Sequence, residues 1–449
     1  MNTTKEKIKN VFICLLLVGM LYLTYSVWFF DSPFESIGTD NIFGIDMSFH
    51  NVEEGEGTDL DVYGIRPMSI YVKGDGFCRA SVYESEKTDE AYKSLRSLFT
   101  RVFAFHGDMK PADADVWKEK ISGKGVLLDY FGNVPVGAVC MWLGTGAESD
   151  LHSGRYYMLS AEEKNVRLYV KNTGTDEVYS VGTSVPSEEL MAVAAGVNAS
   201  DAILAANSDV QDFRAISPET IVSSAPSRPA VVSAYNTYPA FSSSVTEACL
   251  DAFSLSDVSP GTYSETDGTQ VYIADMVTMK ISPTGLVSYT DPREKADETI
   301  GMSVEYDGER ALLFEKTEAA RGIAAKLASK LPGSGGIYLI SATENGDEAE
   351  IVFGRHIGGI PIDMNASTYF VRVGFRGDMI SDVRANLRGY DVTSRNADIL
   401  SLRLTAAAVS GKGNKGDVSL RYVDAGNMEL APSWFIVPEK ENENELVES

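Results

Sequence analysis

The strongest apolar pattern lies at the start of the chain, where residues 11–30 (VFICLLLVGMLYLTYSVWFF) run for twenty positions without a charge. A helix of that length rises roughly 30 Å, the thickness of a hydrocarbon core. Tyr22, Tyr25 and Trp28 crowd its C-terminal half, as where a helix leaves through lipid headgroups. Lys5, Glu6, Lys7 and Lys9 come before it, and Asp31 and Glu35 follow. The positive-inside rule therefore predicts a cytoplasmic stub over 1–10, a transmembrane helix over 11–30 and an external remainder. That is a single-pass protein of the cell membrane. A cleaved signal peptide is the competing reading. Its apolar core is about 7–15 residues and ends at a small-x-small site, whereas this run leaves through Ser26-Val27-Trp28-Phe29-Phe30. The uncleaved anchor fits better.

Beyond the anchor, the pattern divides into blocks. The first, over 31–216, opens with alternation at Pro67-Met68-Ser69-Ile70-Tyr71-Val72, which predicts a half-buried strand. Tyr92, Leu95, Phe99, Val102 and Phe103 then recur at three- and four-residue spacing, which predicts a helix. Pro111 and an acidic turn predict the start of a second, short helix through Trp117 to Ile121. Strands are expected over 125–130, 134–143, 155–158 and 166–170, and a helix over 188–195. Residues 217–239 hold four prolines among many serines and read as an interdomain connection.

A middle α+β block follows over 240–308, with strands expected over 270–281 and 286–289. The C-terminal block, 309–437, begins with an alanine-rich helix over 316–331, stopped by Pro332-Gly333. Strands are expected over 336–342, 348–356, 367–375 and 379–387, then a helix over 394–410, then strands over 417–423 and 430–437. The tail, 438–449, carries five Glu and reads as disordered. The expected fold class is α+β: a transmembrane helix, then a multi-domain ectodomain of antiparallel sheets with helices packed on one face.

Composition narrows the partners. The chain has 449 residues and a formal net charge of −25. The first thirty residues hold three Lys and one Glu, so the remainder is more acidic than the whole. Such a surface has nothing with which to neutralise phosphates, and a nucleic-acid partner is excluded. Cys78, Cys140 and Cys249 are the cysteines beyond the anchor, too few and too scattered for a disulfide framework. They read as small buried hydrophobes.

Motifs that carry chemistry are missing. Gly411-Lys412-Gly413-Asn414-Lys415-Gly416 matches G-x-G-x-x-G in letters, but it follows an expected helix and precedes a strand, the reverse of a dinucleotide site. Gly333-Ser334-Gly335-Gly336 lacks the Lys-Ser/Thr of a phosphate loop and reads as a helix end. The histidines (His50, His106, His152, His356) form no H-x-x-x-H, and there is no Cys-x-x-Cys, so no metal site is expected. No G-x-S-x-G elbow occurs. The reading is a protein without a catalytic residue, cofactor or metal.

Three features resemble the YycH/YycI family, membrane-anchored accessory regulators of the WalK/YycG sensor histidine kinase in Gram-positive bacteria. One is the anchor with its basic stub and external remainder. The second is Glu350-Ile351-Val352-Phe353-Gly354-Arg355-His356-Ile357-Gly358-Gly359-Ile360-Pro361-Ile362, similar to the family's strand followed by x-Gly-[LI]-Pro-[VI]. Tyr369-Phe370-Val371-Arg372-Val373 and Asp378-Met379-Ile380-Ser381-Asp382-Val383 come after it. The third is Val418-Ser419-Leu420-Arg421-Tyr422 with Leu430-Ala431-Pro432-Ser433-Trp434-Phe435-Ile436-Val437, similar to the family's closing strand pair. Chain length and Ile65-Arg66-Pro67-Met68-Ser69-Ile70 look YycH-like rather than YycI-like. Gly358, Gly359, Pro361, Tyr422, Pro432 and Trp434 are read as structural: a tight turn closed by proline, and a buried ring whose N–H seeks a partner.

The resemblance implies a non-catalytic regulator of a two-component sensor kinase. It would associate with that kinase and with a YycI-like accessory protein through its transmembrane helix and ectodomain. Leu15, Gly19, Tyr22 and Ser26 share one helix face, with the small residue and hydroxyls that close helix packing in lipid uses. The alternative is a surface-displayed module that binds wall polymer or peptide, or inhibits an exported enzyme.

Overall fold

The fold is taken from a computed structural model that describes residues 65–105, 107–146, 152–223, 228–238, 242–293, 300–306, 308–364, 369–411 and 416–438. The stub, the 11–30 run with Leu15, Gly19, Tyr22 and Ser26, and residues 439–449 lie outside the described residues. Among the described residues no helix is long and apolar enough to cross a membrane.

Strands β1 (Ser69–Gly74) and β2 (Phe77–Val82) form a hairpin whose turn uses Gly76 at φ 77°. Helix α1 (Ser85–Phe103) buries Tyr92, Leu95, Phe99, Val102 and Phe103, the stripe expected of it. Each such side chain stabilises by about 1.5–3 kcal/mol. Pro111 does not start a helix. It lies in the short strand β3 (Lys110–Ala112), and α2 (Ala114–Ile121) begins beyond Asp113. A three-residue strand at the end of a sheet tolerates a residue without an N–H.

The expected strand over 134–143 divides. Strand β4 (Gly125–Pro135) continues through Val134, and Val136–Leu143 is helix α3, ended by Gly144 at φ 75°. A short continuous apolar run does not distinguish a buried strand from a buried helix, and tertiary packing chose here. Strands β5 (Ser153–Ala161), β6 (Asn165–Lys171) and β7 (Val178–Pro186) follow, then α4 (Ser187–Ala195), β8 (Ser200–Leu204) and β9 (Ile221–Ser223). The hydrogen-bonded order is β9-β8-β2-β1-β4-β5-β6-β7-β3, antiparallel throughout.

Helices cover both faces of this first sheet, not one. Tyr71, Leu127, Met158 and Tyr169 pair across four strands and pack with Trp117 and Ile121 of α2. Tyr157 points to the opposite face and meets Phe103 of α1, ring centroids 5.9 Å apart. Strand β1 is therefore buried on both sides rather than half-buried, with Ile70, Tyr71 and Val72 all in the core.

The proline- and serine-rich stretch holds β9 and β10 (Ala230–Asn236). Glu219 within it is buried and accepts hydrogen bonds from Trp117 Nε1 (2.6 Å) and Lys171 Nζ (3.0 Å). Helix α5 (Ser242–Ala252), unforeseen in the sequence pattern, precedes a meander of β11 (Gly261–Ser264), β12 (Gln270–Ala274), β13 (Val277–Ile281) and β14 (Leu286–Thr290). Helix α6 (Leu313–Ser329) then leads into β15 (Gly336–Asn345), β16 (Glu348–Ile357), β17 (Ile360–Met364), β18 (Val371–Arg376) and β19 (Met379–Asn386). The second sheet runs β11-β12-β13-β14-β19-β18-β16-β15, so the meander adds directly to the C-terminal strands.

Strand β20 (Arg388–Asn396) takes the first three residues of the expected helix, Ser394 to Asn396, and α7 (Leu402–Gly411) starts eight positions later than the pattern suggests. Pairing of β20 with β10 explains the difference, because a partner strand satisfies its backbone and overrides local propensity. The chain closes with β21 (Gly416–Asp424), β22 (Glu429–Leu430) and β23 (Pro432–Pro438). Strand β21 pairs with β17 and β23, and β22 joins β10 and β20 in a small third sheet. The described residues fall in one compact unit, of mixed α+β class as expected.

Candidate functional site at the seam of the two large sheets

The two large sheets meet where β4 bulges between Asp129 and Val134. Asn133 bridges in parallel to Ser341 of β15. A side chain at Gly132 would drive its Cβ to 2.1 Å from Leu339 O, so only glycine lets the backbones approach this closely.

Three C-terminal elements close on the loop before α1. In the β16–β17 turn, Gly358 and Gly359 adopt φ of 59° and 86°. Gly358 O accepts the Ser85 N–H at 3.2 Å, an otherwise unpaired donor of the first helical turn. From β21, the Leu420 N–H donates to Tyr83 Oη at 2.9 Å. From β23, Trp434 sits edge-on to Tyr83, centroids 6.1 Å apart. Its Nε1–H donates to Leu400 O at 2.8 Å, and its ring, half-buried rather than buried as expected, packs against the cluster holding Ala406 and Val409 of α7.

Of the other residues singled out from the sequence, Pro361 pairs with His356 in the β16–β17 hairpin. Tyr422 lies on β21 between Ile362 and Pro432, with its Oη–H donating to Ala230 O at 2.7 Å. Gly359, Leu420 and Trp434 thus converge on Tyr83 and its neighbours, while Tyr422 and Pro432 lie further along the same strand pair.

Beside Tyr83 is a buried charge cluster. Arg155 of β5 grips Asp129 with two hydrogen bonds, Nε to Oδ1 at 2.8 Å and Nη2 to Oδ2 at 3.0 Å. Its Nη1 reaches Asp417 of β21 at 2.5 Å, so one guanidinium ties both sheets. The plane also lies 5.5 Å over the Phe131 ring and 4.7 Å over that of Tyr156. Asp129 Oδ1 further accepts the Phe131 N–H at 2.7 Å.

Burial would lower the Arg155 pKa, but the facing carboxylates, Asp129 first, hold it well above the ordinary value. Burial pushes Asp129 up in spite of Arg155. Asp417 is the more exposed carboxylate, and there the attraction of Arg155 overcomes burial and pulls it down. Burial also raises the phenols of Tyr83 and Tyr338. At neutral pH the tyrosines keep their protons and Arg155 its charge, so the arrangement acts as a clamp between sheets. Among the described residues no group of three or more His, Cys, Asp or Glu side chains is placed to hold a metal ion.

Sequence reasoning missed Tyr83, Phe131, Arg155 and Asp417. One signal was legible: Asp129 is a lone charge inside the otherwise apolar Gly125-Val126-Leu127-Leu128-Asp129-Tyr130, and a buried charge demands a partner. Nothing in the sequence says which arginine supplies it.

No family model matches the chain, and no curated protein matches it in sequence. Among solved structures, it is similar to YycH from Bacillus subtilis, at 12% identity and a TM-score of 0.48, over 87% of this chain and 99% of that one. It is also similar to an uncharacterized protein from Eubacterium rectale, at 14% identity and a TM-score of 0.31, over 49% of this chain and 80% of that one. At these TM-scores neither likeness assigns a family or an activity.

Proposed function

We propose that this chain is a non-catalytic, membrane-anchored regulator of a cell-envelope two-component sensor kinase. It acts through residues 11–30 and through protein contacts of its external part, together with a YycI-like accessory protein. The uncharged run at 11–30 and the motif resemblance over residues 331–437 support the reading. The observation that carries it is the seam. The residues bearing the resemblance tie β17, β21 and β23 to the start of α1, and the charges beside them are paired with one another. A body built in this way offers protein surfaces for regulation.

The test is cross-linked co-purification of the full-length protein with the sensor kinase of its native membrane. A version in which residues 11–30 are replaced by an unrelated transmembrane helix runs beside it. Kinase recovered with the native helix and lost with the foreign one supports contact in the membrane through the Leu15, Gly19, Tyr22 and Ser26 face. Recovery with both places the contact on the external part. Recovery with neither overturns the proposal.

A further inference from the structure

Helix α5 and strand β12 enclose an open groove of about 570 Å³. Two tyrosines frame it: Tyr238, largely buried, and Tyr272, half-buried on β12 opposite Met279. The helix presents Ser242, Ser243, Thr246 and Glu247 to the same space, and no Lys or Arg lines it among the described residues.

Of the polar side chains that line it, Gln270 is committed, its amide bonded to Ser264 Oγ and Gly268 O. Here the two phenol hydroxyls, the three helix hydroxyls and the Glu247 carboxylate have no side-chain hydrogen bond or ion pair among the described residues. Together they supply several rotatable donor–acceptors and one carboxylate that only accepts. The half-buried Tyr272 ring beside them provides an apolar face.

We propose that the α5–β12 groove binds a neutral oligosaccharide. A pyranose carries an apolar C–H face, which suits a tyrosine ring, and a rim of hydroxyls, which suits the Ser/Thr set and Glu247. A phosphate- or carboxylate-bearing polymer is disfavoured, because the groove has a carboxylate and no cation on a chain of net charge −25. The kinase reading neither requires this site nor depends on it.

The experiment is calorimetric titration of the full-length protein in detergent micelles. The probes are maltotetraose and a tetramer of N-acetylglucosamine, with inorganic polyphosphate as the anionic control. At least one neutral tetramer binds saturably and polyphosphate does not. Tyr272→Ala weakens binding by about tenfold, the scale of one lost aromatic contact. Should that variant misfold, Ser243→Trp, at an exposed helix position, fills the groove and abolishes binding. Absence of binding by both tetramers up to about 10 mM overturns the proposal, being weaker than any useful affinity. So does equal binding of polyphosphate, or binding that survives Ser243→Trp.

Discussion

Tyr83 and Phe131 face each other with ring centroids 6.0 Å apart, and both hold left-handed backbones, φ 56° and 64°. A bulky residue in that region costs on the order of 1–2 kcal/mol, so two in contact mark a place where surrounding contacts overrule local preference. Tyr83 is held by the Leu420 N–H on its Oη and by Trp434 against its ring. Tyr83→Phe leaves the Leu420 N–H without its acceptor. Denaturant titration should show a loss of about 1–3 kcal/mol. An unchanged midpoint would mean that water takes over the bond.

Arg155 carries the larger share of the seam. Arg155→Met leaves the buried Asp129 and the half-buried Asp417 without their shared cation, and unfolding free energy should fall by about 3–5 kcal/mol. Adding Asp129→Asn and Asp417→Asn to that variant should restore part of the loss, because the uncompensated charges are gone. A triple variant no more stable than the single one would locate the cost in packing against Phe131 and Tyr156.

The two glycines of the β16–β17 turn make unequal demands. A Cβ on Gly358 meets nothing within 4 Å, whereas one on Gly359 would stand 3.2 Å from Glu84 N and 3.3 Å from Tyr83 C. Gly358→Ala should cost only the left-handed penalty, about 1 kcal/mol. Gly359→Ala should cost more, because its neighbours are backbone. Thermal unfolding of the two variants ranks them, and the reverse order would refute this account of the docking.

Stability should fall in mild acid because of His356. Burial first, then the adjacent Arg355 charge, push its imidazole down to about 4, against only a weak pull from Asp89. Its Nδ1 accepts the Gly359 N–H at 3.3 Å, which a proton there would break. The unfolded chain takes up this proton below about pH 6.5 and the folded chain does not. The contribution is therefore whole above pH 6.5 and is lost as the pH falls toward 4, by about 3 kcal/mol in total. His356→Gln should flatten that part of the pH–stability curve.

Cys140 and Cys249 are buried, and burial raises their thiols to about 11 and about 12. In a Cys14→Ser background, native protein treated with a thiol reagent at pH 8 should label quickly only at the half-buried Cys78. The two others should react on unfolding. Rapid native labelling at Cys249 would show that α5 opens.

The α1 stripe of Tyr92, Leu95, Phe99 and Val102, the stop of α6 at Pro332-Gly333, and the strands of the C-terminal block other than β20 were legible in the sequence. Each depends on periodicity or on glycine and proline, which act over a few residues. The turn at Gly358-Gly359-Ile360-Pro361 was legible for the same reason. Only tertiary structure decided that Val136–Leu143 is helix, that Arg388–Asn396 is strand, and that α2 covers the face of the first sheet opposite α1. A partner strand or an apolar neighbour contributes more free energy there than intrinsic propensity does. The same holds for Asp129, Arg155 and Asp417. One charge in an apolar strand announces that a partner exists, but Arg155, 26 positions from Asp129, and Asp417, 262 positions from Arg155, are brought together by packing alone.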